Sequence, residues 1–143
     1  MFVKQISIFL ENKSGRLSEV TGTLGKNNID ISALSIADTT DFGILRLIVN
    51  DPEKAEKILK ADGFTVSATS VIAIGVQDKP GGLGKALNIL DSEQIGIEYM
   101  YAFVSKSEDK ALVILKVAEP EKAVNTLQAN GISVLTASQV YKL

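Results

Sequence analysis

Glu11-Asn12-Lys13-Ser14-Gly15-Arg16-Leu17 recurs downstream as Gln77-Asp78-Lys79-Pro80-Gly81-Gly82-Leu83. Each copy lies between an alternating apolar run, which predicts a strand, and apolar residues at helical spacing. A strand that stops at a polar residue, turns on glycine and opens a helix leaves backbone N–H groups converging on one point. Such a point suits a carboxylate or a phosphate. Two copies predict two equivalent sites, or a working site beside a relic. Simple entry into a helix through a glycine turn requires no ligand, so the flanking sequence has to decide.

Upstream of the first copy, Ile6, Ile8 and Leu10 alternate with Gln5, Ser7 and Phe9, the pattern of a strand with at least one buried face. Downstream, Leu17, Val20, Thr21 and Leu24 recur at helical spacing, and the helix is predicted to end near Gly25–Asn28. Residues 29–37 predict a second strand whose apolar phase slips between Ile31 and Leu34, the mark of a bulge. Gly43–Val49 predicts a third strand after a turn at 38–41. Asn50-Asp51-Pro52-Glu53 is a strong helix start, with Asp62-Gly63 as its stop. Phe64 to about Val71 completes a βαββαβ order.

The same order then repeats. Lys13, Gly15, Leu17, Leu24, Ile29 and Ile31 match Lys79, Gly81, Leu83, Leu90, Ile95 and Ile97, which lie 66 residues on. Pro52 through Val66 match Pro120 through Val134 at an offset of 68, so the two extra residues fall in the hairpin at 105–109. Self-similarity with one insertion in an exposed turn points to duplication. The reading is therefore α+β, with units at 1–71 and 72–143. No Pro- or Ser-rich spacer separates them, so the units are expected to pack together rather than swing freely.

Composition narrows the chemistry. The 143 residues include no cysteine and no histidine, which excludes disulfides, thiol nucleophiles, imidazole bases and the usual soft metal ligands. A net charge of −2 argues against a nucleic-acid binder. The aromatic run Tyr99–Phe103 is accordingly read as packing rather than as a base-stacking platform. No apolar run approaches the length of a membrane span. The first residues alternate like a strand rather than a secretion signal, making the cytoplasm the expected compartment.

The turn sequence is more specific than the βαββαβ order, which many unrelated functions share. Asp78-Lys79-Pro80-Gly81-Gly82-Leu83 resembles the D/N-x-P-G-x-L signature of the ACT domain. Asn12-Lys13-Ser14-Gly15-Arg16-Leu17 resembles it too, with Ser14 in place of proline. Asn28-Ile29-Asp30-Ile31 and Gln94-Ile95-Gly96-Ile97 are similar to the family's second-strand start. The resemblance covers the whole chain as a tandem pair of ferredoxin-like units, and implies that the units pack side by side with antiparallel sheets and helices on one face. It implies a regulatory protein, without a catalytic domain, that binds a free amino acid where two units meet.

By that resemblance the first unit's ligand-binding candidates are Asn12, Ser14, Gly15, Arg16, Leu17, Asp30 and Ile31. The second unit's are Asp78, Pro80, Gly81, Gly82, Leu83 and Glu98, with Glu98 expected on the same face as Gly96 and able to replace the side chain Gly96 lacks. Helix N-termini would take the α-carboxylate, and Asp30, Asp78 and the Asn12 amide the α-ammonium. The acids on the second strands favour a polar or basic effector such as histidine. No catalytic residue, metal or cofactor is expected. A homodimer and a regulated protein partner are. Two rivals stay open: a dimerisation module without a ligand, and a phosphatase-like enzyme on the same topology, for which Arg16 beside Asn12 would be the anion grip.

Overall fold

The computed structural model describes residues 2–11, 14–38, 42–104 and 109–143. The elements run β1 (Val3–Glu11), α1 (Arg16–Lys26), β2 (Ile31–Asp38), β3 (Phe42–Val49), α2 (Pro52–Ala61) and β4 (Thr65–Gln77). They continue α3 (Gly82–Ser92), β5 (Ile97–Ala102), β6 (Lys110–Val117), α4 (Pro120–Ala129), β7 (Ser133–Val134) and α5 (Ala137–Tyr141). The chain forms two compact units: Lys4–Thr69 with Tyr141–Leu143, and Ser70–Val140 with the first residues through Val3. They are called the N-terminal and C-terminal units below.

In the N-terminal unit the strands lie in the order β4, β1, β3, β2. Ile6, Ile8 and Leu10 are buried as their alternation predicts, against Val20 and Leu24 of α1 and Ala55 and Leu59 of α2. Both helices therefore cover one face of the sheet. On the opposite face of β1, Gln5 and Ser7 are buried while Phe9 is exposed, and the Gln5 amide donates to the Ser7 hydroxyl at 3.1 Å. That bond answers the cost of burying both polar groups. The register of β2 against β3 shifts between Ile31 and Ala33, where the apolar phase slips in the sequence.

In the C-terminal unit the order is β7, β4, β6, β5, with every pair antiparallel. This is the N-terminal order with local strands four, one, three and two in the same places. Ile72, Ile74 and Val76 pack on Ala86 and Leu90 of α3 and on Ala123 and Leu127 of α4. The bulge recurs, between Ile97 and Tyr99. Helix stops recur as well, with Gly63 at φ +89° and Gly131 at φ +77°.

Two features depart from the sequence reading. β7 is only two residues long, and the chain beyond it forms α5, for which the sequence shows no helical period. Leu17, placed on the buried stripe by its spacing, is 39% exposed; Val20 and Leu24 alone line the buried side of α1.

Candidate functional site

Both repeated turns are built around a left-handed glycine. Gly15 has φ 86° and ψ −10°, and Gly81 has φ 87° and ψ −9°. A side chain there would cost about 1–2 kcal/mol through clash with the following carbonyl. In the C-terminal unit, Lys79, Pro80, Gly81 and Gly82 form a turn closed by the Gly82 N–H donating to the Lys79 carbonyl at 3.0 Å. Proline second and a left-handed glycine third is the composition of a type II turn. Gly15 and Gly81 are the N-caps of α1 and α3, and no side chain caps either helix. The first N–H groups of each helix thus lack a capping side chain, as an anion site requires.

The remaining candidates separate by role. Asn12 lies outside the described residues. Ser14 and Pro80 are exposed at their turns. Ile31 and Leu83 pack at the margins of the two cores, which accounts for their apolar character without a ligand. Asp78 is exposed, and its N–H donates to the Asp109 carbonyl at 3.1 Å. Asp30 is exposed, while its backbone is fixed twice by Asn50: its N–H donates to the Asn50 side-chain oxygen at 2.9 Å, and its carbonyl accepts from the Asn50 N–H at 3.2 Å. Glu98 sits at the β5 bulge and pairs with Lys116 at 3.2 Å. Gly96 and Glu98 are both exposed, with the partly buried Ile97 between them.

Within one unit, the turn and the second-strand start do not come together. Glu11 pairs with Phe42 at one end of the N-terminal sheet, and Ile31 with Val49 at the other. The 11 residues of α1, about 16 Å of helix, separate Gly15 from the segment leading to Asp30. Gly81 and Glu98 are separated in the same way by the 11 residues of α3.

Arg16 is engaged by its own unit. Its guanidinium donates to Glu19 at 3.1 Å, lies 3.7 Å from Glu11, and stacks over the Phe64 ring at 5.3 Å from the centroid. Two carboxylates and a ring face occupy the group that an anion-gripping enzyme would need free. At the equivalent position, Gly82 is buried, and a Cβ there would stand 1.9 Å from the Gln77 carbonyl oxygen. The arginine–glycine difference is thus steric as well as electrostatic, which a sequence comparison does not reveal. Sequence reasoning also missed a cavity of about 170 Å³ beside this glycine, lined by Gly75, Gln77, Gly82, Lys85, Lys110 and Ser133 among others. Among the described residues no group of three or more acidic side chains is placed to hold a metal, and no helix is long and apolar enough to cross a membrane.

Two repeated βαββαβ units, each with a left-handed glycine at an uncapped helix start, define a tandem protein of the ferredoxin-like class. The chain belongs to the ACT domain pair family, whose model matches residues 1–143. It is similar to the crystal structure of BT0572 from Bacteroides thetaiotaomicron, at 48% identity over 100% of this chain and 98% of that one, with a TM-score of 0.94. Its fold is shared with the regulatory subunit of aspartate kinase from Thermus thermophilus, at 17% identity over 90% of this chain and 92% of that one, TM-score 0.64. The corresponding subunit from Thermus flavus aligns at 14% identity over 97% of this chain and 90% of that one, TM-score 0.60. No curated protein matches the sequence.

Proposed function

We propose that this protein is a cytoplasmic amino-acid sensor without catalytic activity, holding its effector where the glycine turn of one ACT unit meets the second-strand start of another. The observation that carries the reading is the pair of left-handed glycine turns opening helices that no side chain caps. Within one unit the 11-residue helix holds the turn and the second-strand start about 16 Å apart, which supports a composite site: one unit supplies its glycine turn with the residue closing its first strand, and another supplies the second-strand start. The exposed carboxylates of Asp30 and Asp78 suit the ammonium, and a polar or basic effector such as histidine remains the expected class. Charged hydrogen bonds of about 1.5–3 kcal/mol each reach micromolar affinity when a few are combined.

Output passes through a partner or through self-assembly. The fold shared with aspartate kinase regulatory subunits supports a regulated enzyme as the partner. A homodimer is supported by Leu34 and Ile36, 41% and 44% exposed on β2, the outer strand of its unit's sheet. The commitment of Arg16 to Glu11 and Glu19 counts against the phosphatase reading.

Equilibrium dialysis against a mixture of the twenty amino acids, each at 1 mM, tests the reading. Retention of one or two amino acids in the protein compartment, and their loss in Gly81→Ala or Gly15→Ala, is the expected result. Uniform distribution of all twenty across the membrane would refute it.

A further inference from the structure

The two second-strand starts are closed by the same backbone bond. In the N-terminal unit the Asn50 N–H donates to the Asp30 carbonyl at 3.2 Å, and in the C-terminal unit the Ala118 N–H donates to the Gly96 carbonyl at 3.0 Å. Each bond lies just outside the last pair of its ladder, Ile31 with Val49 and Ile97 with Val117. A lysine of the following helix braces the segment in both units alike. The Lys54 ammonium donates to the Asn27 carbonyl at 2.9 Å, and the Lys122 ammonium to the Glu93 carbonyl at 3.1 Å. The junction therefore closes whether asparagine or alanine follows the third strand of the unit.

The side chains are where the repeats part. The Asp30 N–H donates to the Asn50 side-chain oxygen at 2.9 Å. Ala118 offers no such acceptor, and Gly96 carries no carboxylate to be positioned. Carboxylate and brace are both present in one repeat and both missing from the other. Packing does not force the loss, because nothing lies within 4 Å of a Cβ added at Gly96. The exposed Asp30 carboxylate has no ion-pair partner among the described residues. Glu98, the acid on β5, instead lies 3.2 Å from the Lys116 ammonium, and Lys116 stands where the N-terminal unit has the wholly buried Ile48. A second cation would have to displace that lysine. The Asn50 side-chain bond is thus surplus to strand pairing, and its effect is to fix the backbone that carries a free carboxylate. A carboxylate on a fixed backbone loses less freedom when it binds a cation.

We propose that Asn50 is a positioning residue for the effector's ammonium group, acting through Asp30, and that the C-terminal second-strand start has lost this role, so that each chain holds one amino acid rather than two. The proposal rests on the amino-acid reading above and adds which second-strand start serves it and what orders that start.

The test is equilibrium dialysis of the full chain against the mixture of twenty amino acids, raised in steps until retention saturates. Retention should level off at one amino acid per chain. The concentration for half-saturation should rise about tenfold or more in Asp30→Asn and about threefold or more in Asn50→Ala. It should return to the parent value in Asn50→Asp, which keeps an oxygen to accept from the Asp30 N–H. Asn50→Ala should stay folded, because Ala118 closes the same junction in the other unit. Two amino acids retained per chain, or half-saturation unmoved in Asp30→Asn or in Asn50→Ala, would overturn the proposal and leave the effector reading intact. No retention by the parent chain would refute that reading and this proposal with it.

Discussion

At Gly81 and Gly82, two adjacent glycines are required for different reasons. Gly81 is needed for its left-handed backbone, with nothing within 4 Å of an added Cβ; Gly82 has an ordinary backbone but a carbonyl oxygen 1.9 Å from where a Cβ would lie. The first requirement was legible in the sequence, because proline-glycine before a helix names the turn. The second was not, since it depends on how closely α3 starts against the end of β4. Gly81→Ala should therefore cost about 1–2 kcal/mol, and Gly82→Ala about 1–3 kcal/mol through forced movement of the Gln77 backbone. Urea unfolding would read both, and a Gly82→Ala variant as stable as the parent would contradict the close approach. Arg16 shows a similar limit. Its residue type suggested an anion grip, but the turn brings Glu11 and Glu19 to its two ends, and neither contact is visible as a motif.

Among the elements, the helix starts of the two units differ in a way the repeat makes easy to compare. Asp51 caps α2, its carboxylate accepting from the Lys54 N–H at 3.2 Å, whereas Glu119 before α4 makes no such bond. Asp51→Ala should destabilise by about 1 kcal/mol, and Glu119→Asp should stabilise by about 0.5–1 kcal/mol, by supplying the missing cap. Thermal midpoints of the two variants moving in the same direction would contradict this assignment. β1 is also tied to α2 by charge: Lys4 lies 3.2 Å from Glu56 and 3.5 Å from Glu53, and Lys60 lies 3.0 Å from Glu56. The bond from Lys60, then that from Lys4, holds the Glu56 carboxyl below its ordinary range. A carboxylate lowered by folding contributes stability above its unfolded pKa, and loses it as pH falls through the lower folded value. The contribution is small at a wet surface, within about 1 kcal/mol. Acid titration of stability should thus be shallower below about pH 4.3 in Glu56→Gln than in the parent, and identical slopes would show that the cluster does not hold β1 to α2. The bulge in β2 was readable from the slipped apolar phase, whereas its counterpart in β5 was not read from the sequence. The two-residue β7 and the five-residue α5 were not, because elements so short carry no period to detect.

For the molecule as a whole, duplication explains both what was legible and what was not. Core positions repeat almost residue for residue, so βαββαβ order, helix stops and strand phases could be read twice and checked against each other. The differences between repeats, as at Arg16/Gly82 and Glu19/Lys85, become interpretable only when the surrounding residues are placed in space. In the proposed function the glycine turns serve an amino-acid effector. Thermal melting of the full chain against each of the twenty amino acids at millimolar concentration tests it most directly. A ligand at 100 times its dissociation constant stabilises the folded state by about 2.7 kcal/mol, which for a chain of this length is a rise of roughly 8 °C. One or two amino acids raising the midpoint by several degrees, with the rise lost in Gly81→Ala or Gly15→Ala, is the predicted result. A midpoint that stays the same across all twenty would contradict it and leave a dimerisation module as the reading of this fold.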